Sequence, residues 1–83
     1  MNKILVTVYV PAVMRTFEVY IPVRSKLYEI KQLMEKAILE ITDGSFQPNA
    51  NNIICARETG IIYNINLTVE QIGLKNGSQL MIV

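Results

Sequence analysis

The sequence predicts a single α+β domain in which a mixed sheet of four or five strands packs on one long helix. Three observations predict this class. Two segments with alternating apolar residues open the chain, a segment with helical periodicity follows, and short strand-like segments fill the second half. With 83 residues the chain has room for one hydrophobic core, so residues 1–83 are predicted to form one domain.

Residues 4–10 and 16–21 predict the two strands of an opening hairpin. In the first strand the even-numbered residues are all β-branched and apolar, and they share one face. The opposite face carries Leu5, Thr7 and Tyr9. Pro11 ends this strand, and the odd-numbered residues from 17 to 21 are the apolar ones in the second.

After Ser25, the predicted N-cap, the apolar period changes from two to three and four, which is typical of a helix with one buried face. The predicted stripe comprises Leu27, Ile30, Leu33, Met34, Ala37, Ile38 and Ile41. Gly44 is expected to close the helix in the left-handed conformation. Charged residues outside the stripe, among them Lys31 and Glu35, are expected to be solvated.

The second half of the chain predicts shorter elements. A polar loop at 45–52 precedes a strand at 53–57, a turn and a further strand at 61–63. A single helical turn at 68–72 then leads to a final strand at 78–83. In this last strand, Leu80 and Ile82 are predicted to face the core.

Residue types argue against catalysis and against a cofactor. The chain contains no histidine, the commonest general base near neutral pH, and its carboxylates show no spacing that suggests an acid–base pair. The single cysteine, Cys55, is expected to be buried in a strand and to take part in neither a disulfide nor a metal site. The sequence therefore predicts a non-enzymatic protein that needs no cofactor.

Charge and hydropathy argue against nucleic-acid binding and against insertion into a membrane. The net charge is +1 and the basic residues are interleaved with acidic ones, unlike the clustered basic stripe of nucleic-acid binders. The first apolar run has only the seven residues 4–10, too few for a signal peptide or a membrane span. We therefore expect a cytoplasmic protein that neither binds nucleic acid nor inserts into a membrane.

The C-terminal segment from Thr68 to Val83 resembles the last turn and last strand of ubiquitin without a gap. Gly73 and Gly77 fall at the two places where ubiquitin has positive φ angles. Residues 17–30 also match the pattern of ubiquitin's second strand and the start of its helix. The resemblance implies a ubiquitin-like, or β-grasp, fold.

Among ubiquitin-like proteins the chain is similar to the small bacterial YukD/EsaB group. The similar features are its length, the Val-Tyr-Val-Pro segment from Val8 to Pro11, and the Gly-Leu-Lys-Asn-Gly-Ser-Gln-Leu segment from Gly73 to Leu80. These proteins are accessories of type VII secretion in Gram-positive bacteria. The resemblance implies a cytoplasmic accessory that binds a membrane component of the secretion system or its FtsK-like ATPase.

Conjugation and sulfur transfer require a flexible tail that ends in Gly-Gly, whereas this sequence stops at Val83. We therefore expect no conjugation, unless the natural chain continues further. Two alternatives stay open. The chain could be a ubiquitin-like adaptor unrelated to secretion, or a truncated modifier or sulfur carrier.

Two surfaces are candidates for binding a partner. The first is an apolar patch on the solvent face of the sheet, formed by Leu5, Ile54, Met81 and Val83. The resemblance places Ile54 and Val83 at positions of ubiquitin's main docking surface. The second candidate is the hairpin tip with Val13 and Met14. The strand at 16–21 could also pair with another chain, and self-association through either region stays open.

Overall fold

The computed structural model describes residues 2–83 and contains four strands and two α-helices. The elements in chain order are β1 (Lys3–Val10), β2 (Arg15–Pro22), α1 (Leu27–Ile41), β3 (Ile54–Ala56), α2 (Val69–Ile72) and β4 (Gln79–Ile82). The sheet has the order β2-β1-β4-β3, in which only β1 and β4 are parallel. The predicted α+β class is confirmed, with four strands rather than five.

The opening hairpin pairs over its full length, from Lys3 opposite Pro22 to Val10 opposite Arg15. A short 3-10 turn at Pro11–Val13 connects the strands, and Met14 completes the connection with a φ of 51°. The even-numbered residues from Val6 to Val10 are fully buried, as their alternation predicts. The hairpin therefore presents one face to the core and the other to solvent.

Helix α1 begins at an N-cap one residue later than predicted, at Lys26 instead of Ser25. Backbone carbonyls of a distant loop cap this end, because the N–H groups of Leu27 and Tyr28 donate to the carbonyls at positions 67 and 65. The carboxylate of Glu29 also accepts the N–H of Lys26 at 3.1 Å. A serine hydroxyl is therefore not needed to satisfy the first donors of the helix.

The end of α1 agrees with the prediction. Asp43 and Gly44 both have positive φ angles, 53° and 86°. The N–H of Gly44 donates back to the carbonyl of Leu39 at 3.0 Å, which satisfies one of the last carbonyls of the helix.

The core lies between α1 and one face of the sheet. Its helical members are Leu27, Ile30, Met34 and Ile38, and α2 contributes Val69. The predicted stripe is wider than the buried face, because Leu33 and Ile41 remain 65% and 56% exposed. These two side chains lie on the flank of α1 next to β2, where the sheet ends and no further strand covers the helix.

Beyond α1 the strand predictions are only partly correct. Strand β3 has three residues, and the predicted strand at 61–63 is reduced to a single bridge between Cys55 and Ile62. The short helix α2 is capped by reciprocal hydrogen bonds between Thr68 and Gln71. Gly73 and Gly77, at φ angles of 90° and 87°, take the left-handed conformation that the resemblance implied.

The prediction that Lys31 and Glu35 are solvated is wrong. Both residues are buried, and the Lys31 Nζ atom lies 3.0 Å from Glu35 Oε1. The ammonium group also donates to the carbonyl of Asn49, and the other carboxylate oxygen accepts from the side-chain amide of Asn52. The loop at 45–52 folds back over α1, with Phe46 buried, and so encloses a pair whose i,i+4 spacing alone suggests a surface position.

Candidate functional site

The solvent face of the sheet differs from the predicted one at β3. Ile54 pairs with Ile82 and Cys55 pairs with Met81. Because opposite residues of paired strands share a face, Ile54 faces the helix, and it is only 1% exposed. The assignment of Ile54 to the outer patch is therefore wrong. The prediction placed β3 one residue out of phase, and such a shift moves every side chain of a strand to the other face.

The structure instead brings four apolar side chains together around Cys55, two of which were predicted. We call these four residues the β3–β4 patch. It consists of Ile53, Ile62, Met81 and Val83. Ile53 and Val83 exchange both backbone hydrogen bonds, at 2.7 and 2.9 Å, so they are directly opposite each other and extend the pairing of Cys55 with Met81. Ile53, Ile62 and Val83 are 40%, 64% and 52% exposed, and Met81 is half-buried.

Leu5 does not join this patch. It lies opposite Tyr20 on β2, and the neutral polar residues Thr7 and Gln79 form the row between Leu5 and Met81. The residue of β1 that does lie beside Met81 is Tyr9. Two of the four predicted patch residues, Met81 and Val83, therefore share a surface, while Leu5 is separate from them.

A positive charge borders the β3–β4 patch. The guanidinium carbon of Arg57 lies 4.4 Å from the centre of the Tyr9 ring, in the geometry of a cation–π contact. Arg57 immediately follows β3, and its N–H donates to the carbonyl of Gln79. The margin of the patch therefore carries a positive charge that lies over an aromatic ring.

Cys55 lies at the centre of the patch but is itself 3% exposed, as the sequence predicts. Its Sγ atom is 3.7 Å from the carbonyl oxygen of Met81, close enough for a weak hydrogen bond. The thiol is free, and Cys55 pairs with Ile62 on one side and with Met81 on the other. Its position is that of a small buried side chain beneath an exposed apolar surface.

Tyr63 connects the patch to the core and gives a prediction about pH. Burial raises the pKa of Tyr63 above its ordinary value of 10.0, and negative charge at Cys55 raises it further. As the pH rises through about 10, the unfolded chain loses the tyrosine proton at a lower pH than the folded chain does. The free energy of unfolding should therefore fall as the pH rises through this range. We expect Tyr63→Phe to weaken this fall, measured by urea unfolding between about pH 9 and about pH 11. Equal pH dependence in the two proteins would contradict the assignment to Tyr63.

The hairpin tip presents less apolar surface than predicted. Val13 is half-buried and packs against the core, whereas Met14 is 83% exposed. The left-handed conformation of Met14 reverses the chain and directs it into β2. The tip therefore offers one exposed methionine rather than a pair of apolar side chains.

A second apolar surface lies beside the strand at 16–21, for which the sequence suggested pairing with another chain but not an apolar groove. A groove of about 270 Å³ runs between α1 and β2. Its walls include Phe17, Val19, Leu33, Ala37 and Ile41. The signal for it was present in the sequence, because the apolar stripe of α1 is wider than one core-facing side of a helix requires.

Within residues 2–83 there is no group of three or more histidine, cysteine, aspartate or glutamate side chains that could hold a metal ion. Over the same residues, neither helix has the length and apolar character needed to cross a membrane.

Comparisons with known proteins identify the fold. No family model and no curated protein matches the chain. Among solved structures, the N-terminal ubiquitin-like domain of the 4931431F19Rik protein is 22% identical with a TM-score of 0.75, over 99% of this chain and 74% of that one. The ubiquitin-like domain of the Mycobacterium tuberculosis type VII secretion system protein EccD1 is 12% identical with a TM-score of 0.77, over 100% and 99% of the two chains.

A third structure shows that the fold occurs in different functional settings. A chain of a toluene 4-monooxygenase complex is 10% identical with a TM-score of 0.77, over 99% of this chain and 98% of that one. Likeness at such low identity establishes architecture and not activity. The chain has the ubiquitin-like β-grasp fold, as its C-terminal segment predicted.

Proposed function

We propose that this protein is a non-enzymatic interaction module that binds a partner protein noncovalently through the β3–β4 patch. The observation that carries the proposal is the exposure of Ile53, Ile62 and Val83 beside Met81 on one hydrogen-bonded sheet surface. Contiguous exposed apolar side chains rimmed by polar groups are typical of binding surfaces. Backbone hydrogen bonds hold Ile53 opposite Val83, and a single bridge places Ile62 opposite Cys55, so part of the backbone beneath the surface is already ordered before a partner binds.

The border of the patch indicates what the partner should offer. An apolar side chain would cover Ile62 and Met81, and a carboxylate would pair with Arg57 at the margin. The contact of Arg57 with Tyr9 already restricts the arginine side chain, so such a pair would be partly preorganised. Charge at the rim of an interface contributes mainly to specificity and to the rate of association.

For the biological setting, we propose a cytoplasmic accessory of type VII secretion, with a membrane component or the FtsK-like ATPase as the partner. Two observations support this setting. The sequence resembles the YukD/EsaB group, and the fold is similar to that of the EccD1 ubiquitin-like domain. A ubiquitin-like adaptor outside secretion would use the same patch with other partners, so the identity of the captured protein distinguishes the two.

The test is affinity capture from the source cell with the full chain as bait, followed by identification of the bound proteins. Ile62→Arg is expected to reduce capture at least about tenfold, because a charge at the centre of an apolar interface must be desolvated. Ile62 is 64% exposed, so its substitution should leave thermal stability nearly unchanged.

Leu33→Arg is a matched control, because Leu33 is 65% exposed but lies on α1, away from the patch. It should retain the partner. Loss of capture by Leu33→Arg with full capture by Ile62→Arg would move the binding site to the groove. A patch-dependent partner unrelated to type VII secretion would support the adaptor and refute the secretion role.

A further inference from the structure

We propose that Asn76 is a site of spontaneous covalent modification that strand β1 keeps closed in the native fold. When the turn that carries Asn76 and Gly77 separates from β1, the side-chain amide deamidates, and the main product prevents the turn from closing again. The reaction needs only water and involves no residue of the β3–β4 patch, so the inference does not depend on the function proposed above.

The dipeptide of Asn76 and Gly77 is the reactive feature. The sequence contains asparagines at positions 2, 49, 51, 52, 64, 66 and 76. Only Asn76 precedes a glycine. An asparagine loses its amide when the backbone nitrogen of the next residue attacks the Cγ atom, and glycine has no Cβ atom to obstruct that attack. The other asparagines precede residues with side chains, so they are internal controls.

The atoms of the reaction balance without a cofactor. The Gly77 nitrogen forms a bond to Cγ of Asn76, the bond from Cγ to Nδ2 breaks, and Nδ2 leaves as ammonia with the proton of Gly77. Water then adds to one of the two carbonyl carbons of the resulting imide ring and returns a proton to the Gly77 nitrogen. Opening at Cγ gives an aspartate, and opening at the backbone carbonyl gives an isoaspartyl linkage.

In the native fold, Leu5 of β1 binds both reacting groups. Its N–H donates to Oδ1 of Asn76 at 2.8 Å, and its carbonyl accepts the N–H of Gly77 at 2.9 Å. Ring closure removes the proton that Gly77 donates to Leu5 and draws Cγ, together with its oxygen, onto the Gly77 nitrogen. Both hydrogen bonds to Leu5 must therefore be given up before the ring can form.

Further hydrogen bonds hold the turn in place. The N–H of Ser78 donates to the carbonyl of Lys75 at 2.9 Å, and the Ser78 hydroxyl accepts the N–H of Lys75 at 3.0 Å. The carbonyl of Ser78 accepts the N–H of Thr7 at 3.0 Å, which ties the turn to β1 a second time. Asn76 is thus exposed to water while its neighbours on both sides are fixed.

The position of the turn gives the modification a structural consequence. In the sheet order β2-β1-β4-β3, the pairing of β1 with β4 joins the opening hairpin to the other two strands. An isoaspartyl linkage lengthens the main chain by a methylene group just before Gly77. The N–H of Gly77 and the carbonyl of Ser78 then no longer meet Leu5 and Thr7 in the native register. A chain that has opened and reacted is therefore marked permanently.

The experiment incubates the full chain at mildly alkaline pH, folded in buffer and unfolded in urea. Peptide mapping by mass spectrometry measures conversion at each asparagine over time. Asn76 is expected to react at least about tenfold more slowly in the folded chain, since more than one hydrogen bond must break first. In the unfolded chain it should react before the other asparagines. Equal rates in the folded and unfolded chains would overturn the proposal.

Leu5→Pro tests the contact with β1 directly, because it removes the N–H that binds Asn76. The backbone groups of Leu5 point to the turn, so the hairpin loses no hydrogen bond. Tyr20→Pro is the matched control. Tyr20 lies opposite Leu5 on the terminal strand β2, and its N–H points to the outer edge of the sheet. Leu5→Pro should accelerate the reaction at Asn76 about fivefold, and Tyr20→Pro should not.

Hydrogen exchange at the Gly77 amide is a second measurement that needs no variant. Circular dichroism shows whether the proline variants fold, and hydrogen exchange decides if Leu5→Pro does not. The Gly77 amide exchanges when its bond to Leu5 opens, so low urea concentrations should raise its exchange rate and the rate at Asn76 by the same factor. A constant rate at Asn76 while exchange rises, or equal rates in two folded proline variants, would refute control by β1.

The consequence of the modification is tested on the purified isoaspartyl chain. It should unfold at a lower urea concentration than the unmodified protein. Asn76→Asp is the control, because it adds the same negative charge without lengthening the main chain and keeps an oxygen for the N–H of Leu5. Its urea midpoint should stay close to that of the unmodified protein. An isoaspartyl chain as stable as the unmodified protein would show that the turn closes again after the reaction.

Discussion

Ile54→Arg is expected to unfold the domain, whereas Ile53→Arg should leave it folded. Ile54 is 1% exposed and packs in the core between α1 and the sheet, while Ile53 is 40% exposed on the opposite face. Truncating a buried isoleucine to alanine typically costs about 2–5 kcal/mol, and an unpaired buried charge costs more. A small domain has a total stability of only about 5–15 kcal/mol, so the arginine at position 54 should remove most or all of it.

The two variants are matched, because they are adjacent and introduce the same side chain. Circular dichroism and thermal melting of both proteins provide the measurement. The expected result is a cooperative transition for Ile53→Arg near that of the unmodified protein and no native signal for Ile54→Arg. A folded Ile54→Arg together with an unfolded Ile53→Arg would show that β3 has the opposite register.

Glu35→Ala is expected to destabilise the protein by about 3–5 kcal/mol, because it leaves the Lys31 ammonium buried without its counter-charge. The carboxylate of Glu35 also accepts hydrogen bonds from the loop at 45–52, through the backbone N–H of Asn49 and the side chain of Asn52. Its removal therefore breaks the polar contacts that hold this loop on α1. Urea unfolding at neutral pH measures the loss.

A double substitution tests whether the loss of stability comes from the unpaired charge. Replacing both members with apolar residues, as Lys31→Met with Glu35→Leu, should recover much of the stability that Glu35→Ala loses, since no charge then stays buried. Glu40→Ala, at an exposed position of the same helix, should change stability by less than about 0.5 kcal/mol. If Glu35→Ala behaves like Glu40→Ala, the pair is exposed in solution and the loop does not cover it.

Strand β3 explains why part of the candidate site could not be predicted. In β1, every even-numbered residue is apolar and β-branched, whereas the odd-numbered positions include Lys3 and Thr7, so only one phase buries an entirely apolar set. Around β3 the order is Ile-Ile-Cys-Ala, and either phase places one isoleucine in the core and the other outside. The pairing of Ile54 with Ile82 settles the phase, and that contact links positions distant in the chain.

The groove and the buried ion pair were missed for a related reason. Leu33 and Ile41 satisfy the helical period as well as Ile30 and Met34 do, but the period does not reveal where the sheet ends. Likewise, the spacing of an i,i+4 pair is the same in solvent as under a loop. The spacing of residues along a helix predicts which side chains share a face, but it does not predict which other segment covers that face.

The amino-acid sequence by itself determined the class of fold, the hairpin faces, the helix with its C-terminal cap, and the glycine turn before the last strand. These features depend on local periodicity and on backbone angles that few residues accept. Only the tertiary structure decided that Ile53 and not Ile54 faces the solvent, that Lys31 and Glu35 are buried, and that the apolar groove beside β2 stays open. Each of these depends on contacts between segments far apart in the chain, which local preferences do not specify.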